Sequence, residues 1–201
     1  MRIGVLGGTF DPVHIGHLKM AEEAKTSLEL SAIIMVPAGQ PLLKSAHPIT
    51  AAEHRLQMLQ LAVANIPHFQ VSIMEIERPG PTYTVDTIEN LQTHYGNDDE
   101  IYFILGCDSL SRFAEWREPV RIIQMCYLVA VPRPGCQPPD IEALEADIPG
   151  ISRRVMFLDK PKIDISASEI REKVARGLSI RDLVPGQVEE YIWRKKLYTT
   201  Q

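Results

Sequence analysis

Cysteine is scarce in this chain. Cys107, Cys126 and Cys136 are the only three in 201 residues, and no two form a CxxC pair. An odd count without metal-ligand spacing reads as reduced thiols. Cys107 and Cys126 lie in or beside apolar runs, where packing is the simpler role and a nucleophilic Cys107 the alternative. Long hydrophobic runs are also missing. No stretch approaches the ~20 apolar residues needed to cross a bilayer, so no membrane partner is expected. The chain opens directly on a strand pattern, so no signal peptide is read and the cytoplasm is the expected location. Positive charge is not in excess: 21 Lys and Arg against 26 Asp and Glu leave a net charge of -5. That argues against a basic nucleic-acid surface but allows a local positive pocket. No internal repeat or low-complexity tract is present. No G-x-G-x-x-G follows the first strand, which argues against a dehydrogenase module.

What is there reads as globular. Hydrophobic residues make up 45% and charged residues 23%, enough for one α/β domain over residues 1–201 with a full core. Short apolar runs alternate with helical patterns. Strands are expected at Arg2–Leu6, Ala32–Val36, Gln70–Ile76, Ile101–Leu105, Tyr127–Val131 and Val155–Leu158. Helices are expected at His17–Leu28, Ala51–Ala64, Thr84–Tyr95, Ser109–Phe113, Pro119–Met125, Ile141–Ala146, Ala167–Arg176 and Val188–Lys195. Thr50, with Glu53 three residues on, reads as the cap of the second helix. The alternation predicts a Rossmann-like, doubly wound parallel sheet with helices on both faces. A C-terminal helical segment of about 166–198 packs on it. Such sheets place ligands beyond the carboxyl ends of their strands, at the switch in strand order. Gly7–His17, Pro37–Lys44 and Gly106–Ser109 all follow strands and should meet there.

The densest chemistry lies in residues 3–17, IGVLGGTFDPVHIGH. An apolar strand runs into Gly7-Gly8, and His14 and His17 follow three residues apart. Glycines without Cβ let backbone N–H groups approach an anion, and a helix N-terminus adds partial positive charge. Histidines at i and i+3 share a face. Each can donate to a phosphate oxygen, more strongly if protonated. Phosphate binding, a turn that binds nothing, and metal ligation by the two histidines all remain open on spacing alone. The absence of an HExxH or similar ligand set weighs against the metal.

GGTFDPVHIGH resembles the signature of the nucleotidyltransferase superfamily with the (T/H)xGH motif, in the form found in bacterial nicotinate-nucleotide adenylyltransferases. The resemblance runs from Ile3 to about Arg171. It implies that Gly8, Thr9, Phe10 and His17 bind ATP, with His14, His17 and Lys44 catalytic. Pro37–Lys44 is similar to the family's loop ending in PPHK, with Leu42 and Leu43 in place of Pro-His. Ile165–Arg171 resembles the family's ISSTxIR segment, which implies ATP-phosphate contacts from Ser166, Ser168 and Arg171; Ala167 stands where a serine is usual. On residues alone, Ser166 and Glu169 fit a capping box, while Arg171 is a cation near a helix start, where the dipole disfavours it. Phe103–Leu110 resembles FxxGxDxL, with Asp108 implied at ribose hydroxyls and a helix N-cap as its plainer role. Thr82-Tyr83-Thr84 and Trp116 resemble the mononucleotide pocket, so Lys44, Thr84, Asp108 and Trp116 are implied to hold the mononucleotide. Trp116 as a partly buried packing residue is the alternative. The role of Arg117 is open. Arg133 lies where the family holds adenine, with a solvated loop arginine as the simpler reading.

The implied reaction moves AMP from ATP to nicotinate mononucleotide, giving nicotinate adenine dinucleotide and pyrophosphate. A phosphate dianion needs no general base, so positioning and electrostatics should carry catalysis. Mg²⁺ is expected on the ATP phosphates, without a dedicated protein metal site. ATP and nicotinate mononucleotide are the expected partners, and a homo-oligomer is left open. The rivals are adenylyl transfer to nicotinamide mononucleotide or phosphopantetheine, and a noncatalytic nucleotide sensor. Class I tRNA synthetases share the HIGH at His14–His17, but this chain is short and lacks a KMSKS-like segment.

Overall fold

Both faces of a parallel strand must be covered, and the strands here are apolar on both faces. In β1 (Arg2–Gly8), Ile3 and Val5 enter one core cluster while Leu6 enters the other. In β2 (Ala32–Pro37), Ile33 and Met35 go one way and Ile34 and Val36 the other. In β4 (Glu100–Gly106), Tyr102 and Ile104 oppose Ile101, Phe103 and Leu105. This period-2 alternation between two cores demands helices above and below.

The computed structural model describes residues 1–40, 48–96, 98–161 and 164–199. Its sheet has the order β3-β2-β1-β4-β5-β6, with β3 at Phe69–Val71, β5 at Tyr127–Val131 and β6 at Val155–Phe157. All neighbouring strands run parallel. The doubly wound α/β fold is as expected, and the order reverses between β1 and β4. The crevice therefore opens where the chain leaves Gly8 and Gly106.

One layer holds α1 (Ile15–Ser27), α2 (Ala52–Val63), α8 (Ala167–Ala175) and α9 (Gly186–Lys195). Ala21, Met58, Val174 and Val188 from these helices share one core. The other layer is built from α4 (Thr84–Tyr95), α5 (Cys107–Ser111), α6 (Pro119–Met125) and α7 (Ile141–Asp147). There Ile88, Leu110, Ile122 and Leu144 pack together. Among the described residues no helix is long and apolar enough to cross a membrane.

Several local expectations are corrected. The third strand ends at Val71, not Ile76, and Met74–Glu77 forms the short helix α3. Pairing with β2 reaches Met35↔Val71, and β2 ends in Pro37, which has no N–H to extend it. The first helix starts at Ile15, with His14 at its cap position. Thr50 does not cap α2: Ala51 takes that position without a side-chain bond. Instead, the Thr50 N–H donates to Asp11 Oδ2 at 3.1 Å. The helix expected at Ser109–Phe113 begins earlier, at Cys107, and a 3₁₀ turn follows at Phe113–Glu115.

Candidate active site

The loop after β1 is shaped by glycine and by one buried aromatic ring. A Cβ on Gly8 would lie 3.3 Å from the Phe10 ring. Phe10 is buried and holds a left-handed φ of 51°, a conformation that non-glycine residues adopt only when their surroundings enforce it. The Asp11-Pro12 peptide is cis. Asp11 is buried, and its carboxylate accepts from the Thr50 N–H and from the Tyr198 hydroxyl, the latter at 2.7 Å.

His14 and His17 then stack face to face, centroids 3.7 Å apart, as their spacing predicts. His17 also meets the Phe10 ring edge-on at 4.9 Å. The His17 Nδ1 accepts the His14 backbone N–H at 3.2 Å. Its proton therefore sits on Nε2, which becomes the donor. Protonation does not follow the simplest expectation. Burial, helped by the charge of Arg133, pulls His14 down to about 4. Burial, helped by His14, holds His17 well below the usual imidazole range. Both rings favour the neutral form in the free protein, because burial strips a charged ring of its water, and at His14 the Arg133 charge adds repulsion. His14 is buried, with an Nδ1 that meets no protein partner among the described residues, whereas His17 stays partly exposed.

Arg171 reaches this loop from α8. Its Nη1 donates to the Asp11 carbonyl at 2.7 Å and its Nη2 to the Ser168 hydroxyl at 3.1 Å. The cation near a helix start therefore finds a backbone carbonyl of the glycine motif in the free protein. Ser166 is an N-cap whose hydroxyl accepts the Glu169 N–H at 3.1 Å. The Glu169 carboxylate faces Lys173 at 3.7 Å.

On the far side of the crevice, Gly106 and not Asp108 is the cap of α5. Asp108 lies in the first turn, half exposed, and pairs with Arg133 Nη1 at 3.3 Å. Asp108, from the first turn of α5, and Arg133, from the loop after β5, thus meet. Trp116 is half-buried against Phe113, at 5.2 Å, and edge-on to Phe103, at 6.0 Å. The Phe103 ring in turn is 3.4 Å from where a Cβ on Gly7 would stand. Thr84 is the first residue of α4, and the neighbouring Thr82 N–H and hydroxyl approach the Gln40 carbonyl at 3.5 and 3.4 Å. Arg117 lies over the Tyr83 ring at 4.5 Å and faces Glu118 at 3.5 Å. Lys44, Leu42 and Leu43 lie outside the described residues. Among the described residues no group of three or more His, Cys, Asp and Glu is placed to hold a metal ion.

Three contributors escaped the sequence reading: Asp11 as an anchor, Tyr198 near the C-terminus, and Arg55. A signal for Arg55 was present. It heads the buried stripe Arg55, Met58, Leu59, Ala62 and Val63 of α2, where an apolar residue is the rule.

A 3-2-1-4-5-6 parallel sheet with a glycine turn, two stacked imidazoles and two arginines at its switch point defines a nucleotide-binding α/β protein of the nucleotidyltransferase type. Residues 5–173 match the family model described as cytidylyltransferase-like. A probable nicotinate-nucleotide adenylyltransferase of Dehalococcoides mccartyi is 44% identical over 198 residues, covering 98% of this chain and 97% of the relative. A protein of the same description from Thermomicrobium roseum is 47% identical, covering 99% and 92%. Among solved structures, the Plasmodium falciparum nicotinic acid mononucleotide adenylyltransferase complexed with APC superposes with a TM-score of 0.79 at 20% identity, covering 98% of this chain and 96% of that one. The same enzyme complexed with NaAD gives a TM-score of 0.77 at 21% identity, covering 98% and 97%. The chain belongs to the cytidylyltransferase-like family, in the branch of the nicotinate-nucleotide adenylyltransferases.

Proposed function

We infer that the chain transfers AMP from ATP to nicotinate mononucleotide, forming nicotinate adenine dinucleotide and pyrophosphate in NAD biosynthesis. The observation that carries the reading is the stacked, neutral His14–His17 pair at the switch point, with Arg171 tied to the same loop. It stands beside full-length relatives at 44% and 47% identity that carry this activity in their description.

In this mechanism a 5′-phosphate oxygen of the mononucleotide attacks the α-phosphorus of ATP. The new P–O bond forms as the bond to the bridging oxygen of pyrophosphate breaks, in line, without a covalent enzyme intermediate. The nucleophile is largely a dianion at neutral pH, so no residue has to remove a proton. The difficulty is charge, and preorganised donors answer it. The His17 Nε2–H is aimed by the backbone bond at its Nδ1 and donates to the α-phosphate, with His14 assisting. A neutral imidazole binds the ground state weakly and gains as charge moves onto the departing oxygens. A polyanion beside the rings also favours their protonated form.

Backbone N–H groups of Gly8, Thr9 and Phe10 cradle the phosphates. Arg171, with Ser168 and the Ser166 helix start, contacts the β- and γ-phosphates after exchanging part of its Asp11 bond. Arg133 faces the adenine. Asp108, Thr84 and Trp116 take the mononucleotide, with the indole against the pyridine ring. Lys44 stays in the proposal on its sequence match alone. Mg²⁺ arrives with ATP as part of the substrate. A cytoplasmic location belongs to the same reading.

Pyrophosphate release with ATP and either nicotinate or nicotinamide mononucleotide tests it. Faster release with nicotinate mononucleotide is expected. No release with either overturns the reading, and a preference for the amide moves the chain to the sister activity.

A further inference from the structure

Arg55 is 1% exposed and sits on the apolar stripe of α2. Its three donor nitrogens each take a different carbonyl. Nε donates to Thr50 at 2.9 Å, Nη1 to Thr9 at 2.8 Å, and Nη2 to Gly39 at 3.3 Å. Thr9 lies in the loop after β1, Gly39 in the loop after β2, and Thr50 just ahead of α2. One planar fork therefore ties three segments around the crevice. A buried guanidinium is costly unless every donor is satisfied. Methionine or leucine would fill the volume but leave the three carbonyls without this donor and the buried Asp11 carboxylate without this nearby cation, so the residue does more than pack.

The Thr9 bond supplies a further role. A trans peptide is planar, with its C=O and N–H on opposite sides. Turning the Thr9 carbonyl inward to Arg55 turns the Phe10 N–H the other way. Phe10 holds its left-handed φ of 51° at this same peptide, and that conformation persists only if neighbours over-determine it. The buried Phe10 ring secures one side of the residue and Arg55 secures the other.

We propose that Arg55 is a positioning residue for adenylyl transfer: its fork sets the Thr9–Phe10 peptide so that the Phe10 N–H faces the ATP phosphates. The proposal rests on the function inferred above. Lysine keeps the charge but has no planar fork to reach three carbonyls, so it is the informative replacement.

Arg55→Lys is compared with Leu59→Ala, a neighbouring core truncation in the same helix whose side chain makes none of these hydrogen bonds. In the pyrophosphate-release assay, below both melting temperatures, Arg55→Lys is expected to lower kcat by ~10²-fold with KM for the mononucleotide unchanged, the size of loss that a small misplacement of catalytic groups causes. Leu59→Ala is expected to lower Tm and leave kcat as in the wild type. A wild-type kcat in Arg55→Lys, or an equal kcat loss in both variants, overturns the proposal. If Arg55→Lys does not fold, the wild-type protein labelled with ¹⁵N decides. Titration with pyrophosphate should shift the Phe10 amide, and a Phe10 amide that does not move overturns the assignment. Failure of the functional reading looks different: the wild type then releases no pyrophosphate with either mononucleotide.

Discussion

The imidazoles of His14 and His17 lie face to face, 3.7 Å between centroids and 22° between planes. Because the His14 backbone N–H occupies the inner nitrogen of His17, the stack presents one oriented donor, the His17 Nε2–H. Removing it should resemble loss of one preorganised donor at a developing charge. His17→Ala is expected to reduce kcat by ~10²–10³-fold with the fold intact. A folded variant that turns over normally would sink the assignment.

Imidazoles held in the neutral form also make the protein sensitive to acid. His14 is held at about 4 in the folded chain against an ordinary value of 6.5. Between those values the unfolded chain binds the proton and the folded one does not, so stability falls as pH drops. At about 1.4 kcal/mol per pKa unit, the His14 contribution is about 3 kcal/mol, intact above pH 6.5 and lost progressively toward pH 4. The depressed His17 acts in the same direction. Thermal melts should show Tm dropping over this window, and less so in His14→Gln. Identical profiles for the two proteins would contradict the linkage.

Arg171 joins two segments 160 residues apart through the Asp11 carbonyl. Hydrogen bonds from a charged group are worth about 1.5–3 kcal/mol each. Arg171→Ala should therefore raise KM for ATP by roughly 10–100-fold and disturb the mononucleotide less. ATP affinity equal to that of the wild type would exclude a phosphate role.

Tyr198 donates to Asp11 Oδ1 at 2.7 Å across 187 residues, and burial together with the Asp11 carboxylate pushes its phenol far up. It stays a donor throughout the working range. Tyr198→Phe leaves a buried carboxylate oxygen short of a partner and should cost about 1–3 kcal/mol of stability, read as a lower urea midpoint. An unchanged midpoint would show that the Thr50 N–H alone suffices for Asp11.

Gly39 has a steric reason to be glycine. A Cβ there would fall 2.0 Å from the Glu75 carbonyl oxygen, so backbone would have to move. Gly39→Ala should destabilise by about 1–3 kcal/mol, visible as a lower Tm.

Much of this protein was legible in advance because it follows local rules. Strand–helix alternation and apolar runs predict the doubly wound sheet, and a hydroxyl followed by Glu three residues on marks the Ser166 cap. The same rule failed at Thr50, because Asp11 and Arg55 claim its backbone from elsewhere in the chain. The N-cap expectation failed at Asp108 because the helix expected from Ser109 starts two residues earlier, at Cys107, which frees the carboxylate for Arg133. The strand expected through Ile76 fails for a related reason. Its neighbour stops at a proline, and Glu75 turns inward to accept the Thr87 hydroxyl at 2.6 Å.

The sequence by itself determined the glycine turn, the shared face of His14 and His17, and the position of both at a helix start beyond the first strand, since these depend on spacing within a few residues. Only the tertiary structure decided that the two rings are neutral, that Arg171 and Tyr198 converge on Asp11, and that Arg55 binds three loops at once. A charge state depends on burial and on neighbours brought in from distant segments. Bonds spanning 46, 160 and 187 residues exist only after the sheet has placed their ends together.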